Sequence, residues 1–148
     1  MRIADLIAPA HVLAALRVQD KPQLLAELAR RSAAATGIDA GAILTALQTR
    51  EKLGSTGLGQ GFALPHARID GLTAFFGLFA RLARPIDFEA IDGQPIDLVF
   101  LLLIPPDANS QHVAALAAIA RPIRDRQFVR ELRQAKDAAT LHSYLANA

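Results

Sequence analysis

The apolar positions change their spacing twice along the chain. From Leu24 to Leu47 they recur every three or four residues, the period of a helix with one buried face. Asp20 stands where a helix N-cap belongs, Pro22 falls in the first turn where its missing N–H costs little, and Gln23 completes a capping-box-like spacing. Leu24, Leu25, Leu28 and Ala29 then share a face, and Gly37 stops the helix. Asp39 caps a second helix that carries Ile43, Leu44 and Leu47 and ends near Arg50. The two form a helical hairpin.

The middle of the chain follows a different rule. Four glycines in the eight residues 54–61 forbid a helix, and Phe62-Ala63-Leu64 reads as a short strand leading into Pro65-His66. Residues 73–82 and 96–104 are apolar on both alternating faces, the pattern of strands covered by helices on each side. Pro105-Pro106 ends the second of these. Helical spacing then returns. Asn109 or Ser110 caps a helix with Val113, Leu116, Ala117 and Ala120 on its inward face, and Pro122 kinks or ends it. Asp125 and Asp137 cap two closing helices that turn Phe128, Val129 and Leu132, then Leu141, Tyr144 and Leu145, toward the core. Helices, strands, helices: the order predicts a single α/β domain over residues 1–148, a three-layer α/β/α sandwich with a mixed β-sheet.

Composition narrows the function. The 148 residues are 52% apolar and 20% charged, with a formal net charge of +2. Nucleic-acid binding needs clustered basic residues. Here they are scattered except between Arg121 and Arg133, a group that reads as a solvated helix face, so no nucleic-acid partner is expected. The absence of cysteine excludes a disulfide framework, a thiolate nucleophile and any cysteine-held metal. The histidines form no close-set pair of the HExxH kind, so neither a metal nor another cofactor is expected. The first residues lack the continuous apolar core of a secretory signal, and the apolar run Leu98–Ile104 is far short of the ~20 residues of a membrane span. A cytoplasmic location is the expectation.

The glycine-rich segment matches neither a Walker A motif nor GxGxxG. Its backbone N–H groups, with the hydroxyls of Ser55 and Thr56, can form an anion-binding nest or serve as an ordinary connecting loop. His66 follows it directly, on a proline support with Arg68 two residues on. An imidazole is nucleophilic near neutral pH, and anion-friendly surroundings make phosphorus the fitting electrophile. His112 lies near the start of the helix after the long buried strand, where sites form in covered sheets, and it could share a phosphoryl group with His66. His11 and His142 have no comparable surroundings and are read as structural or exposed.

The stretch from Arg50 through Gly54-Ser55-Thr56-Gly57-Leu58-Gly59-Gln60-Gly61 to Pro65-His66 resembles the active-site segment of the fructose/mannitol-class enzyme IIA domains of the phosphoenolpyruvate-dependent phosphotransferase system. The stretch Arg84-Pro85-Ile86-Asp87-Phe88-Glu89-Ala90-Ile91-Asp92-Gly93-Gln94-Pro95-Ile96-Asp97-Leu98 resembles the nitrogen-related branch, IIA-Ntr, in particular. The resemblance continues through Leu101–Pro105 and His112 and covers essentially the whole chain.

That resemblance implies a phosphocarrier, a phosphotransferase component that takes a phosphoryl group from a histidine of an HPr-like protein of the NPr type. It assigns the acceptor to His66, through Nε2, and matches the second active-site histidine to His112 and the arginine before the loop to Arg50. Ser55, Thr56, Gly57 and Gly59 would bind the phosphoryl oxygens. It further implies regulation of targets such as potassium transporters or sensor kinases through the phosphorylation state. Two departures stand out: Ala67-Arg68 replaces the usual Gly-Lys or Gly-Arg, and Phe62 replaces a small aliphatic residue. Leu58 and Phe62 are candidates for a donor-facing patch, with core packing the stronger reading for Phe62. The rival readings are a sugar-transport IIA unit that passes phosphate to a fructose/mannitol IIB domain, and a binding module indifferent to phosphorylation.

Overall fold

The computed structural model describes residues 1–148. Its elements are β1 (Ile7–Leu16), α1 (Lys21–Thr36), α2 (Ala40–Lys52), β2 (Gly57–Gly59), β3 (Phe62–Ala63), β4 (His66–Arg68), β5 (Phe76–Ile86), β6 (Ile96–Ile104), α3 (Gln111–Ala120), α4 (Arg126–Gln134) and α5 (Ala138–Ala146). The helix ends obey local chemistry. Asp20 accepts a hydrogen bond from Gln23 N–H, Asp39 from Ala42, Asp125 from Gln127 and Asp137 from Thr140. Each satisfies an amide that the helix itself leaves without a partner. Gly37 takes the left-handed conformation at φ 77° that closes α1.

The sheet is mixed, in the order β1-β5-β6-β3-β2, with β4 also paired to β6. β5 and β6 are antiparallel, while β1 on β5 and both β3 and β4 on β6 are parallel. β6 shows why this is a three-layer sandwich. Leu98, Phe100, Leu102 and Ile104 join a core beneath α3, α4 and α5, whereas Val99, Leu101 and Leu103 join a second core beneath α1 and α2. Alternate residues feed opposite cores, as the strand period of two requires. No helix is long and apolar enough to cross a membrane.

One element went unread, and two expectations need correction. The N-terminal strand β1 was not legible in the sequence, where Pro9 and the alanines argue against a strand. It is an edge strand, and its register shifts between Ile7 and Val12, so the proline interrupts no central ladder. On α3 the core-facing residues are Ala115 and Ile119, and Val113 is 70% exposed. The helix is apolar on nearly all sides, so periodicity could not choose its inward face. Tyr144 of α5 is likewise exposed, at 37%, while Leu141 and Leu145 are buried.

Candidate active site

The glycine-rich segment is a β-hairpin rather than an open loop. β2 and β3 pair antiparallel, with Gly57 opposite Ala63 and Gly59 opposite Phe62. The two residues between them, Gln60 and Gly61, have φ of 56° and 75°, and a two-residue turn with both φ positive suits the twist of paired strands. Its tip is tied down from two sides. Gln60 Nε2 donates to the Ile123 carbonyl at 2.6 Å, and the Arg133 guanidinium donates to the Gln60 carbonyl while gripping both oxygens of Asp97.

The base of the hairpin is held by Glu51, a residue the sequence did not single out. Its carboxylate accepts the Thr56 hydroxyl and the Thr56 N–H and meets Lys21 Nζ at 2.9 Å. Lys21 also lies over the Phe88 ring, 4.2 Å from its centroid. Thr56 is only 4% exposed, so both of its donors are directed to Glu51. The Gly57 N–H donates to Ser55 Oγ at 3.1 Å. Gly57 and Gly59 thus lie in strand pairing, while Ser55 and Thr56 line the cleft beside the hairpin.

From β3 the chain passes through Leu64-Pro65 into β4 without changing register on β6: Phe62 faces Leu98, Ala63 faces Val99 and His66 faces Leu102. His66 therefore keeps the parity of Phe62 and Leu64, which belong to the core under α3–α5. It emerges at the side of α3, half-buried. Its Nδ1 lies 2.8 Å from the Leu64 carbonyl oxygen. A carbonyl can only accept, so Nδ1 carries the proton and Nε2 keeps its lone pair. Burial lowers the His66 pKa below the ordinary histidine value, against the opposing effect of the Leu64 hydrogen bond, and Arg50 and His112 depress it further. The ring is neutral at neutral pH.

Two cationic side chains and a second imidazole surround it. Arg50, in the last turn of α2, donates from Nη1 to the Gly54 carbonyl at 2.9 Å, which braces the guanidinium against the start of the hairpin. His112 sits in the first turn of α3, its ring centroid 6.4 Å from that of His66 and the planes inclined by 68°. Arg68 projects from the same side of β4 as His66 and reaches both the Pro106 carbonyl, at 2.8 Å, and His112 Nδ1, at 3.1 Å. Burial and then the Arg68 charge lower the His112 pKa.

Arg50, His66 and His112 share a cleft of about 380 Å³. Its polar end is Arg50, Ser55, Thr56, His66 and His112; its apolar wall is Leu58, Val113, Leu116 and Ala117. Leu58 is 43% exposed and Phe62 only 1%, which puts Leu58 at the surface and Phe62 in the core. The α3 residues expected to face inward are this wall. His11 is away from the cleft and packs on Phe76, with ring centroids 4.8 Å apart; His142 is half-buried on α5.

Residues 5–148 match the family described as the phosphoenolpyruvate-dependent sugar phosphotransferase system, EIIA 2. The chain is 51% identical over 146 residues to a nitrogen regulatory protein of Bradyrhizobium diazoefficiens, covering 99% of this chain and 95% of that one. It is 37% identical to a nitrogen regulatory protein of Escherichia coli, over 87% of this chain and 80% of the other. In three dimensions it resembles the nitrogen regulatory protein IIA-Ntr of Neisseria meningitidis, with a TM-score of 0.92 at 31% identity, covering 97% of this chain and 98% of that chain. The IIA protein in the E. coli mannitol IIA–phosphorylated IIB complex shares the fold, with a TM-score of 0.81 at 15% identity over 96% and 98% of the two chains. On sequence and on fold, the chain belongs to the EIIA type 2 family of the phosphotransferase system, in its nitrogen-regulatory branch.

Proposed function

We propose that this protein is a cytoplasmic histidine phosphocarrier in which His66 takes a phosphoryl group, through Nε2, from a phosphohistidine of an HPr-like donor of the NPr type. The observation that carries this reading is the hydrogen bond from His66 Nδ1 to Leu64, which leaves the neutral ring with its nucleophilic nitrogen unprotonated. In the transfer the donor's P–N bond breaks and its electron pair stays on the donor imidazole, while a new P–N bond forms at Nε2. Nδ1 keeps its proton throughout. The ring becomes positive as the bond forms, and the Leu64 carbonyl stabilises that charge.

The phosphoryl group in flight spreads negative charge over its equatorial oxygens, so the protein's task is positioning and charge stabilisation. Arg50, His112 and the Ser55 hydroxyl line the cleft and supply donors to those oxygens. Thr56, Gly57 and Gly59 act on the same oxygens through the hairpin that they hold in place. The exposed apolar wall of Leu58 and Val113 suits a brief encounter with a donor. Its relatives are named nitrogen regulatory proteins, which supports a regulatory output; the targets we propose, such as potassium transporters or sensor kinases, would distinguish the two phosphorylation states.

The test is intact-mass and acid-lability analysis after incubation with phosphoenolpyruvate, enzyme I and an HPr-type carrier. One acid-labile phosphoryl group is expected on the wild type and none on His66→Gln. Equal uptake by both proteins overturns the assignment.

A further inference from the structure

The two site histidines are held in opposite protonation patterns, and the second pattern is imposed by a residue outside the reacting pair. A guanidinium has five N–H donors and no acceptor, and it does not lose its proton in a protein. Its approach to His112 Nδ1 at 3.1 Å therefore requires a lone pair on that nitrogen. A proton at Nδ1 would set one N–H against another. The only site left for the proton of neutral His112 is Nε2. His66 is the mirror case, with its proton on Nδ1 and its lone pair on Nε2.

We propose that Arg68 is a positioning residue that locks His112 as an Nε2–H donor, so that His112 can stabilise the phosphoryl oxygens but cannot compete with His66 as the acceptor. Three features support this. Arg68 is two residues beyond His66 on a paired strand, so its Cβ leaves the same face of the sheet. Its guanidinium is itself fixed, because Nη1 donates to the Pro106 carbonyl just before α3. The two ring centroids lie 6.4 Å apart, so both imidazoles are within reach of one phosphoryl group carried on His66. Neither histidine then needs to change tautomer during transfer.

The role assigned to Arg68 rests on the phosphocarrier reading, but its tautomer lock can be measured without phosphate. Long-range proton–nitrogen correlation spectra of the imidazoles, recorded on the unphosphorylated protein, distinguish Nε2–H from Nδ1–H. The proteins to compare are the wild type, Arg68→Lys and Arg68→Glu. Wild type is expected to show His112 purely as Nε2–H, and Arg68→Lys to keep that form because an ammonium also only donates. A carboxylate accepts, so Arg68→Glu should move His112 to the Nδ1–H or doubly protonated form.

Phosphoryl transfer is read on the same three proteins. Losing a positioned donor in such a site typically slows a reaction about 10²–10³-fold. Arg68→Glu should slow uptake by at least about tenfold on that scale, with Arg68→Lys recovering most of the rate. An Nδ1–H His112 in the wild type overturns the proposal, as does an unchanged tautomer in Arg68→Glu. So does a changed tautomer with an unchanged rate. If His66 proved not to be the acceptor, the nitrogen spectra would still decide the lock, so the two failures are separable.

Discussion

His66 and Leu64, two residues apart where β3 passes into β4, are joined by a hydrogen bond: the ring Nδ1–H donates to the carbonyl at 2.8 Å. The bond fixes which ring nitrogen is available before any partner arrives. Phosphorylation should therefore occur at Nε2 alone. Nitrogen and phosphorus NMR of the phosphorylated protein should show one phosphohistidine isomer, and a mixture of Nδ1 and Nε2 adducts would contradict the geometry.

Acid should act on the same ring in two ways. The folded pKa of His66 lies below its unfolded value. At pH values between the two, the unfolded chain binds a proton that the folded chain does not, so stability rises with pH there. This contribution is complete above the ordinary histidine pKa of about 6.5 and is lost as pH falls through that value toward the folded one. Urea unfolding at pH 7.5 and pH 5 should show a smaller loss for His66→Gln than for wild type. The rate of phosphoryl acceptance should fall over the acid range as the lone pair is protonated.

The corrected orientation of α3 separates binding from folding. Ile119 is fully buried, and Ile119→Ala should cost about 2–5 kcal/mol in denaturant unfolding. Val113 is mostly solvent-exposed, and Val113→Ser should leave stability within about 0.5 kcal/mol. The same serine should weaken transfer from the donor, seen as a raised apparent KM for the phosphorylated carrier. A Val113 variant that unfolds as readily as the Ile119 variant would return this face to the core.

Thr56 and Glu51 should prove structural in effect. Thr56→Val removes a hydroxyl donor to a nearly buried carboxylate while leaving the backbone N–H and Lys21 in place. The expected cost is about 1–3 kcal/mol of stability in chemical denaturation. Glu51→Gln should give a loss of similar size.

At the other end of the hairpin, Arg133→Ala should act locally. The Arg133–Asp97 pair is partly exposed, and such pairs contribute about 1 kcal/mol or less. Hydrogen exchange should nevertheless speed up at Gly59, Gln60 and Gly61, whose turn loses one of its two ties. Unchanged exchange there would show that Gln60 and Ile123 suffice.

Much of this arrangement was legible before any coordinates. The strand at Ile96–Ile104 and the caps at Asp20, Asp39, Asp125 and Asp137 coincide with the sequence reading because each depends on local chemistry. What escaped depends on partners distant in the chain. β1 is a strand because β5 lies beside it, a pairing that its proline and alanines do not announce. The inward face of α3 was unreadable because Val113 and Ile119 are equally apolar, and only the sheet beneath distinguishes them. At the site, His66, Arg50 and His112 stood out as residues that the structure gathers around one cleft. Glu51 and the link from Arg68 to His112 did not, since each becomes visible only as a distance across the fold.

β3 and β4 run along β6 in one unbroken register, so His66 is a side chain of the sheet itself and not of a mobile loop. A strand paired in this way offers no hinge. Phosphorylation of His66, as proposed, would then change this surface first through charge: roughly two negative charges would arrive beside Arg50 and the His112–Arg68 pair. A protein that discriminates the two states would have one small place to inspect, where two positive charges are offset over a paired strand. Such a signal can be read quickly and erased without refolding anything.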